Sequence, residues 1–377
     1  MSEKKLGFGL MRLPLLDQND PTSIDIEQAK KMVDTFIERG FTYFDTAWMY
    51  CGFQSENATK EILVDRYPRD SYTLATKLHV GFCETKEDRD KIFQTQMEKT
   101  GVEYFDYYLL HSIEAPNYKC YEELDCFNWI REKKEQGLIK HMGFSFHDTA
   151  ELLDEILTKH PEMEFVQLQI NYLDWESDWI QSRKCYEVAV KHGKKVAIME
   201  PVKGGTLANV PAEVAEMYQN YDANLSIASW AIRFAASLEH VMIVLSGMSN
   251  MEQLLDNTSY MEAFQPLTEE ELQMVHKAAE IIESSIAIPC TGCSYCTEGC
   301  PMNIPIPKYF SLYNMSKRDP ENQGWTVLNN YYDNLVGDSG FGRAKECIAC
   351  GQCEGVCPQH LEIIKGLEEV SKHFDNE

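Results

Sequence analysis

Cys290, Cys293, Cys296 and Cys300 are followed by Pro301, and Cys347, Cys350, Cys353 and Cys357 by Pro358, so the spacing C-x2-C-x2-C-x3-C-P occurs twice near the C-terminus. Three thiolates at such short intervals can wrap one corner of a metal-sulfur cube, but a fourth on the same run cannot readily return to it. The spacing points to two 4Fe-4S clusters. Structural zinc is the alternative, although zinc usually takes two separated C-x2-C pairs and leaves a third close cysteine superfluous.

The other five of the 13 cysteines, Cys51, Cys83, Cys120, Cys126 and Cys185, have no ligand-like spacing. They read as small apolar residues or local reactive thiols, with Cys51 set apart by its neighbour Tyr50. The N-terminus has no apolar stretch of signal-peptide length, and nowhere is there an 18-residue apolar run, so a cytoplasmic protein with no membrane partner is expected. Thiols are kept reduced there, which favours metal ligands over disulfides. With 60 Asp and Glu against 35 Lys and Arg, the formal charge of −25 repels phosphate backbones and excludes nucleic acid as a first choice of partner.

From residue 6 to about 265, short β-rich runs alternate with amphipathic helical patterns. Strands are predicted at 6–11, 42–46, 72–77, 104–111, 139–145, 165–170, 195–200 and 241–246. Gly40, Gly101, Gly137 and Gly193 each follow a helical pattern and precede a strand, as left-handed helix ends do. Eight β-then-α units in roughly 250 residues suit a (β/α)8 TIM barrel, an α/β fold. An open doubly wound sheet is the runner-up, but GFGLMR does not supply its Gly-rich phosphate turn. Helices are expected at 250–262 and 267–282, the second opened by a capping box at Thr268 to Glu271. The domains are then a barrel over 1–285 and a cluster domain over 286–370. Tyr309, Phe310, Tyr313, Trp325, Tyr331 and Tyr332, between the two cysteine motifs, are expected to pack beside the clusters rather than to carry electrons.

Reactive groups of such a barrel sit where its strands end. Asp45 ends the second predicted strand, Lys77 the third and His111 the fourth, and Tyr50 lies in the loop five residues past Asp45. Taken singly, each is compatible with a purely structural role; together they can meet over one mouth. The segments FDTAWMY, ATK and LLH resemble the Asp-Tyr-Lys-His tetrad of the aldo/keto reductase family, over residues 6 to about 285. The resemblance implies Tyr50 as general acid to a carbonyl oxygen, its proton loosened by Lys77, which is paired with Asp45, and His111 as the group that orients the substrate oxygen. It also maps nicotinamide contacts. Ser145 and Gln169 stand for the family's carboxamide partners, with Phe146 in place of an Asn, and Met199 replaces the stacking Tyr. In residues 246–257 Asn257 is kept, while the usual Lys and Arg positions read Gly247 and Gln253. A 2′-phosphate would lose its charge-assisted partners there.

The cysteine motifs resemble those of bacterial-type two-cluster ferredoxins. That resemblance implies crossed ligation, with one cluster on Cys290, Cys293, Cys296 and Cys357 and the other on Cys347, Cys350, Cys353 and Cys300. The leading reading is an iron-sulfur oxidoreductase acting on a small carbonyl or other reducible compound, its clusters relaying electrons to or from the barrel site and a redox partner protein conceivable. NAD(P)H gives two electrons as hydride and a cluster takes one, so a flavin or a substrate tolerant of stepwise reduction has to intervene if the two communicate. The alternatives are an NAD(P)H-dependent carbonyl reductase with structural clusters, and a non-enzymatic electron carrier or interaction protein.

Overall fold

The computed structural model describes residues 4–18, 20–177, 180–317, 327–337 and 340–375. All eight predicted strands form: β1 (Leu6–Gly9), β2 (Tyr43–Asp45), β3 (Thr73–Leu78), β4 (Phe105–Ile113), β5 (Ile139–Phe146), β6 (Phe165–Gln169), β7 (Lys195–Met199) and β8 (Val241–Gly247). They pair in parallel and in chain order, and β8 closes on β1, giving a closed barrel rather than an open sheet. Gly40, Gly101, Gly137 and Gly193 have φ of 79°, 72°, 78° and 66°, which is why glycine ends those helices.

Tyr43, Ala75, Leu109, Phe165, Ala197, Ile243 and Leu245 pack as one cluster inside the barrel. Small residues oppose large ones: a Cβ on Gly143 would stand 2.5 Å from the Phe165 carbonyl oxygen and 2.6 Å from its ring. Side chains two residues apart on a strand share a face. Two steps beyond Tyr43, Ala75, Leu109, Gly143, Ala197 and Leu245, toward the strands' C-terminal ends, stand Asp45, Lys77, His111, Ser145, Met199 and Gly247. Strand pairing therefore brings the predicted site residues to one end of the barrel, as the register Asp45↔Ala75 and Lys77↔Leu109 requires.

The compact units cut the chain differently from a single boundary at 285. One comprises Met1–Val202 and Ala228–Leu272, and the other Lys203–Ile227 and Gln273–Glu377. Residues 203–227, part of the connection between β7 and β8, thus fold with the C-terminal part, by contacts between residues far apart in the sequence. The helix Glu269–Ser285 starts at the expected capping box: Glu271 N–H donates to Thr268 Oγ1 at 3.3 Å and Thr268 N–H to Glu271 Oε2 at 2.8 Å.

The second unit has its own core, in which Tyr309, Phe310, Tyr313 and Tyr332 are buried with Cys296, Cys353 and Cys357. Tyr331 is 57% exposed, unlike its expected role, and Trp325 lies outside the described residues. The two cysteine motifs repeat in backbone as well as in sequence. Gly292 and Ala349 have φ of 71° and 53°, Ser294 and Gly351 68° and 78°, and Asn303 and His360 52° and 49°. Each pair stands at the same offset from its motif's cysteines. Short helices, Tyr295–Glu298 and Gln352–Gly355, then present Cys296 and Cys353. Among the described residues no helix is long and apolar enough to cross a membrane.

Candidate active site and cluster cavities

Lys77 is fully buried, and three oxygens surround its ammonium. Nζ lies 2.5 Å from Asp45 Oδ1, 2.8 Å from the Thr46 carbonyl oxygen and 3.3 Å from Tyr50 Oη. Burial pushes the Asp45 carboxyl up and the Lys77 amine down, while their mutual attraction opposes both shifts. Lys77 is the penultimate residue of β3, and β4 runs two residues past His111, so these two side chains point inward from within strands rather than from their last residues. Tyr50 opens a kinked turn in which Cys51, Gly52 and Phe53 all have positive φ, at 52°, 58° and 68°. A regular helix would carry the tyrosine elsewhere.

A buried network that sequence reasoning missed supports Lys77 from behind. Gln96 Nε2 donates to the Lys77 carbonyl oxygen at 3.0 Å and to Glu56 Oε1 at 2.7 Å, Thr76 Oγ1 donates to the same Glu56 oxygen at 2.8 Å, and Tyr108 Oη donates to Gln96 Oε1 at 2.6 Å. Gln96 and Glu56 are wholly buried. A Gln at a buried position of the charged helix Lys86–Thr100 was the only available signal for it.

His111 is buried with its ring 5.9 Å from that of Tyr50, nearly edge-on, and 5.8 Å from that of His79. Its Nδ1 has no hydrogen-bond partner among the described residues, which leaves a polar atom for a substrate oxygen. Tyr121 Oη donates to the His111 carbonyl oxygen and fixes this stretch of β4. Burial, then the charge of Lys77, holds the His111 imidazole well below its ordinary 6.5, so it is neutral at physiological pH.

Tyr50 departs from the sequence expectation. Burial, followed by Asp45, Glu200 and Cys51, pushes its phenol well above 10 rather than loosening the proton. The charge of Lys77 is committed to Asp45 at 2.5 Å and does not offset the desolvation. The phenol is therefore fully protonated across the neutral range, and an alkoxide, a much stronger base than a phenolate, can still take its proton. The sign for a rate that needs neutral His111 and protonated Tyr50 follows: one limb moves below 6.5 and the other above 10. A profile of kcat/KM against pH should be flat between about 6.5 and about 10. An alkaline limb near neutrality would contradict this arrangement.

The nicotinamide positions fit a dinucleotide in part. Ser145 and Gln169 are present and buried, but Ser145 Oγ accepts from Ser112 N–H at 2.7 Å and Gln169 Nε2 donates to Asp174 Oδ2 at 2.9 Å. Asn257 Nδ2 donates to Ser246 Oγ at 3.0 Å, and Asn257 Oδ1 accepts from Tyr260 Oη at 2.7 Å. Met199 offers no ring to stack. Gly247 carries no cation, but the stem of Arg12, from the turn Leu10–Arg12, lies 3.2 Å from where its Cβ would be. This basic group is brought over from the end of β1 and lies outside residues 246–257.

In the second unit, Cys290, Cys293, Cys296 and Cys357 line one small cavity, and Cys300, Cys347, Cys350 and Cys353 line another. Each has the four thiols, in largely apolar surroundings, that a 4Fe-4S cluster takes. Among the described residues no three His, Cys, Asp or Glu side chains converge as ligands of a single ion do; the sulfurs surround a space instead. Gly292 N–H approaches Cys290 Sγ at 3.4 Å and Ile304 N–H approaches Cys300 Sγ at 3.5 Å. The five scattered cysteines do not join either cavity. Burial pushes the thiols of Cys51 and Cys83 up to about 11 and those of Cys126 and Cys185 up to about 12, against reactivity.

A (β/α)8 barrel of this kind, followed by a unit for two 4Fe-4S clusters, defines an iron-sulfur oxidoreductase. The chain belongs to the aldo/keto reductase family, whose profile matches residues 5–280, and a 4Fe-4S dicluster domain profile matches residues 289–362. Among solved structures, the chain is similar to an aldo-keto reductase from Bacillus halodurans in its holo form, with 22% identity, 73% of this chain and 91% of that one covered, and a TM-score of 0.59. It is also similar to one from Klebsiella pneumoniae in complex with NADPH (17% identity, 74% and 95% covered, TM-score 0.58) and to one from Brucella melitensis (18%, 72% and 94%, 0.56). No curated protein matches the chain.

Proposed function

We propose that the protein reduces a small carbonyl or similarly reducible compound at the barrel site, with Tyr50 as general acid, Lys77 and Asp45 fixing its hydroxyl, and His111 orienting the substrate oxygen. The observation that carries this reading is the placement of Lys77 Nζ at 3.3 Å from Tyr50 Oη and 2.5 Å from Asp45 Oδ1. Cys290, Cys293, Cys296 and Cys357 would hold one cluster, and Cys347, Cys350, Cys353 and Cys300 the other. When bound, the clusters would supply or accept electrons one at a time; a carbonyl-to-alcohol reduction takes two electrons and two protons, of which Tyr50 would give the proton to oxygen and solvent water the one to carbon. Tyr50 delivers a proton to the oxygen as negative charge grows there, and the Lys77 ammonium, held by Asp45 and Thr46, keeps the hydroxyl in place. Neutral His111 offers the same oxygen a hydrogen bond without competing for the proton.

A second reading is favoured by the retention of Ser145 and Gln169. The Klebsiella pneumoniae relative binds NADPH, and in this chain NAD(P)H would serve as the electron donor while the clusters brace their unit. Stopped-flow spectra of anaerobic protein separate the two. Reduced clusters that reoxidise within a turnover on mixing with substrate support the relay. NADH or NADPH consumed by an aldehyde, with the cluster spectrum unchanged throughout, would refute it. We propose that the protein is cytoplasmic, in keeping with cysteines spaced as metal ligands rather than as disulfide partners.

A further inference from the structure

Lys203 is 3% exposed and belongs neither to the tetrad nor to the cysteine sets. It folds with the second unit and is the first of three consecutive residues with positive φ, at 48°, 61° and 100° for Lys203, Gly204 and Gly205. A lysine in that conformation persists only where its surroundings impose it. They do so at two points. A Cβ on Gly204 would stand 1.8 Å from the Thr291 carbonyl oxygen, so this backbone lies directly on the link between Cys290 and Cys293. The Lys203 ammonium donates to Gln359 Oε1 at 3.4 Å, two residues past Cys357. Thr291 and Gln359 both line the cavity of Cys290, Cys293, Cys296 and Cys357. The Lys203–Gly204 segment therefore touches both chain segments, far apart in sequence, that bring sulfurs to that cavity: its backbone at Thr291 and its buried ammonium at Gln359.

Among the described residues, the other cavity has no such counterpart in its lining. Apart from its four cysteines it is lined by proline, methionine, leucine and isoleucine side chains alone. Backbone N–H groups approach cysteine sulfurs of both cavities, Gly292 N–H at 3.4 Å from Cys290 Sγ and Ile304 N–H at 3.5 Å from Cys300 Sγ. A thiolate-ligated cluster gains negative charge on reduction, and its potential follows local charge, hydrogen bonding and solvent exposure. A fixed positive charge in a medium of low polarity favours the reduced form.

We propose that Lys203 sets the potential of the cluster in the Cys290, Cys293, Cys296 and Cys357 cavity, making it the more readily reduced of the two and the place where a single electron rests. This rests on the reading that each cavity holds one cluster, which iron and sulfide counts on the full anaerobic chain check separately. The test is a redox titration followed by electron paramagnetic resonance on the wild type, Lys203→Met, Lys203→Gln and Lys203→Arg, with dithionite as reductant. In the two neutral variants one midpoint should fall so that the reduced-to-oxidised ratio at fixed potential drops about tenfold, about 59 mV for a one-electron couple. The other midpoint should stay put, and Lys203→Arg should restore the wild-type value to within about threefold. The midpoint that moves should be the one retained in Cys300→Ser, which lacks a ligand to the other cavity. Unchanged midpoints, equal shifts of both, or a shift confined to the Cys347 side would overturn the proposal. So would loss of iron from both neutral variants with Lys203→Arg intact, which would mark the lysine as a structural clasp only.

Discussion

Cys300→Ser is expected to abolish the cluster of the other motif, the one held by Cys347, Cys350 and Cys353, and to leave that of Cys290, Cys293 and Cys296 in place. Cys300 follows Cys296 in sequence, yet it lines the cavity of Cys347, Cys350 and Cys353, whereas Cys357 lines that of the first motif. A serine oxygen is a poor replacement for a thiolate on iron, so iron and sulfide should fall to about half and one paramagnetic signal should vanish. The effect on folding should also be large. Cys296, Cys353 and Cys357 are part of the second unit's apolar core, with Cys290, Cys300 and Cys347 packed against it. Metal binding of this kind is folding free energy, and losing it should lower the unit's thermal transition markedly while the barrel's is unchanged. Survival of the Cys347-side signal with loss of the Cys290-side one would show each motif ligating its own cluster and would invert the assignment.

The barrel was legible because its evidence is periodic. Eight alternating runs and the left-handed glycines at 40, 101, 137 and 193 report local constraints that hold wherever the chain goes. The tetrad was legible for a related reason: Asp45, Lys77 and His111 stand two residues past Tyr43, Ala75 and Leu109, so the core layer fixes their direction. What escaped depends on long-range packing. Nothing local assigns residues 203–227 to the C-terminal unit, places Arg12 beside Gly247, or sets Gln96 and Glu56 beneath Lys77. The acidity of Tyr50 depends on burial as well as on charge, and a sequence lists only the charges. The nearby ammonium was foreseen, whereas the desolvation that outweighs it belongs to the folded protein.

Tyr50→Phe is expected to lower kcat/KM for the reducible substrate by about 10²- to 10⁴-fold, the usual contribution of a positioned general acid. The change removes one oxygen and keeps the ring, so the edge-on contact with His111 and the cation-π contact of Lys77 Nζ, 4.8 Å from the ring centroid, both survive. Lys77 retains Asp45 Oδ1 and the Thr46 carbonyl oxygen, which already satisfy its charge. Substitution of Lys77 itself would be a poorer experiment, because it would leave the buried Asp45 carboxylate unpaired at a cost of about 3–5 kcal/mol and confuse folding with chemistry. The Tyr50→Phe loss should fall in kcat with little change in KM, since the phenol acts on charge that exists only as the carbonyl is reduced. Cluster content and midpoints should be unaltered. Steady-state rates across pH would supply the second signature, with the limb above pH 10 absent in the variant. Undiminished turnover of a substrate that the wild type reduces would remove Tyr50 from the chemistry and leave proton delivery to another group.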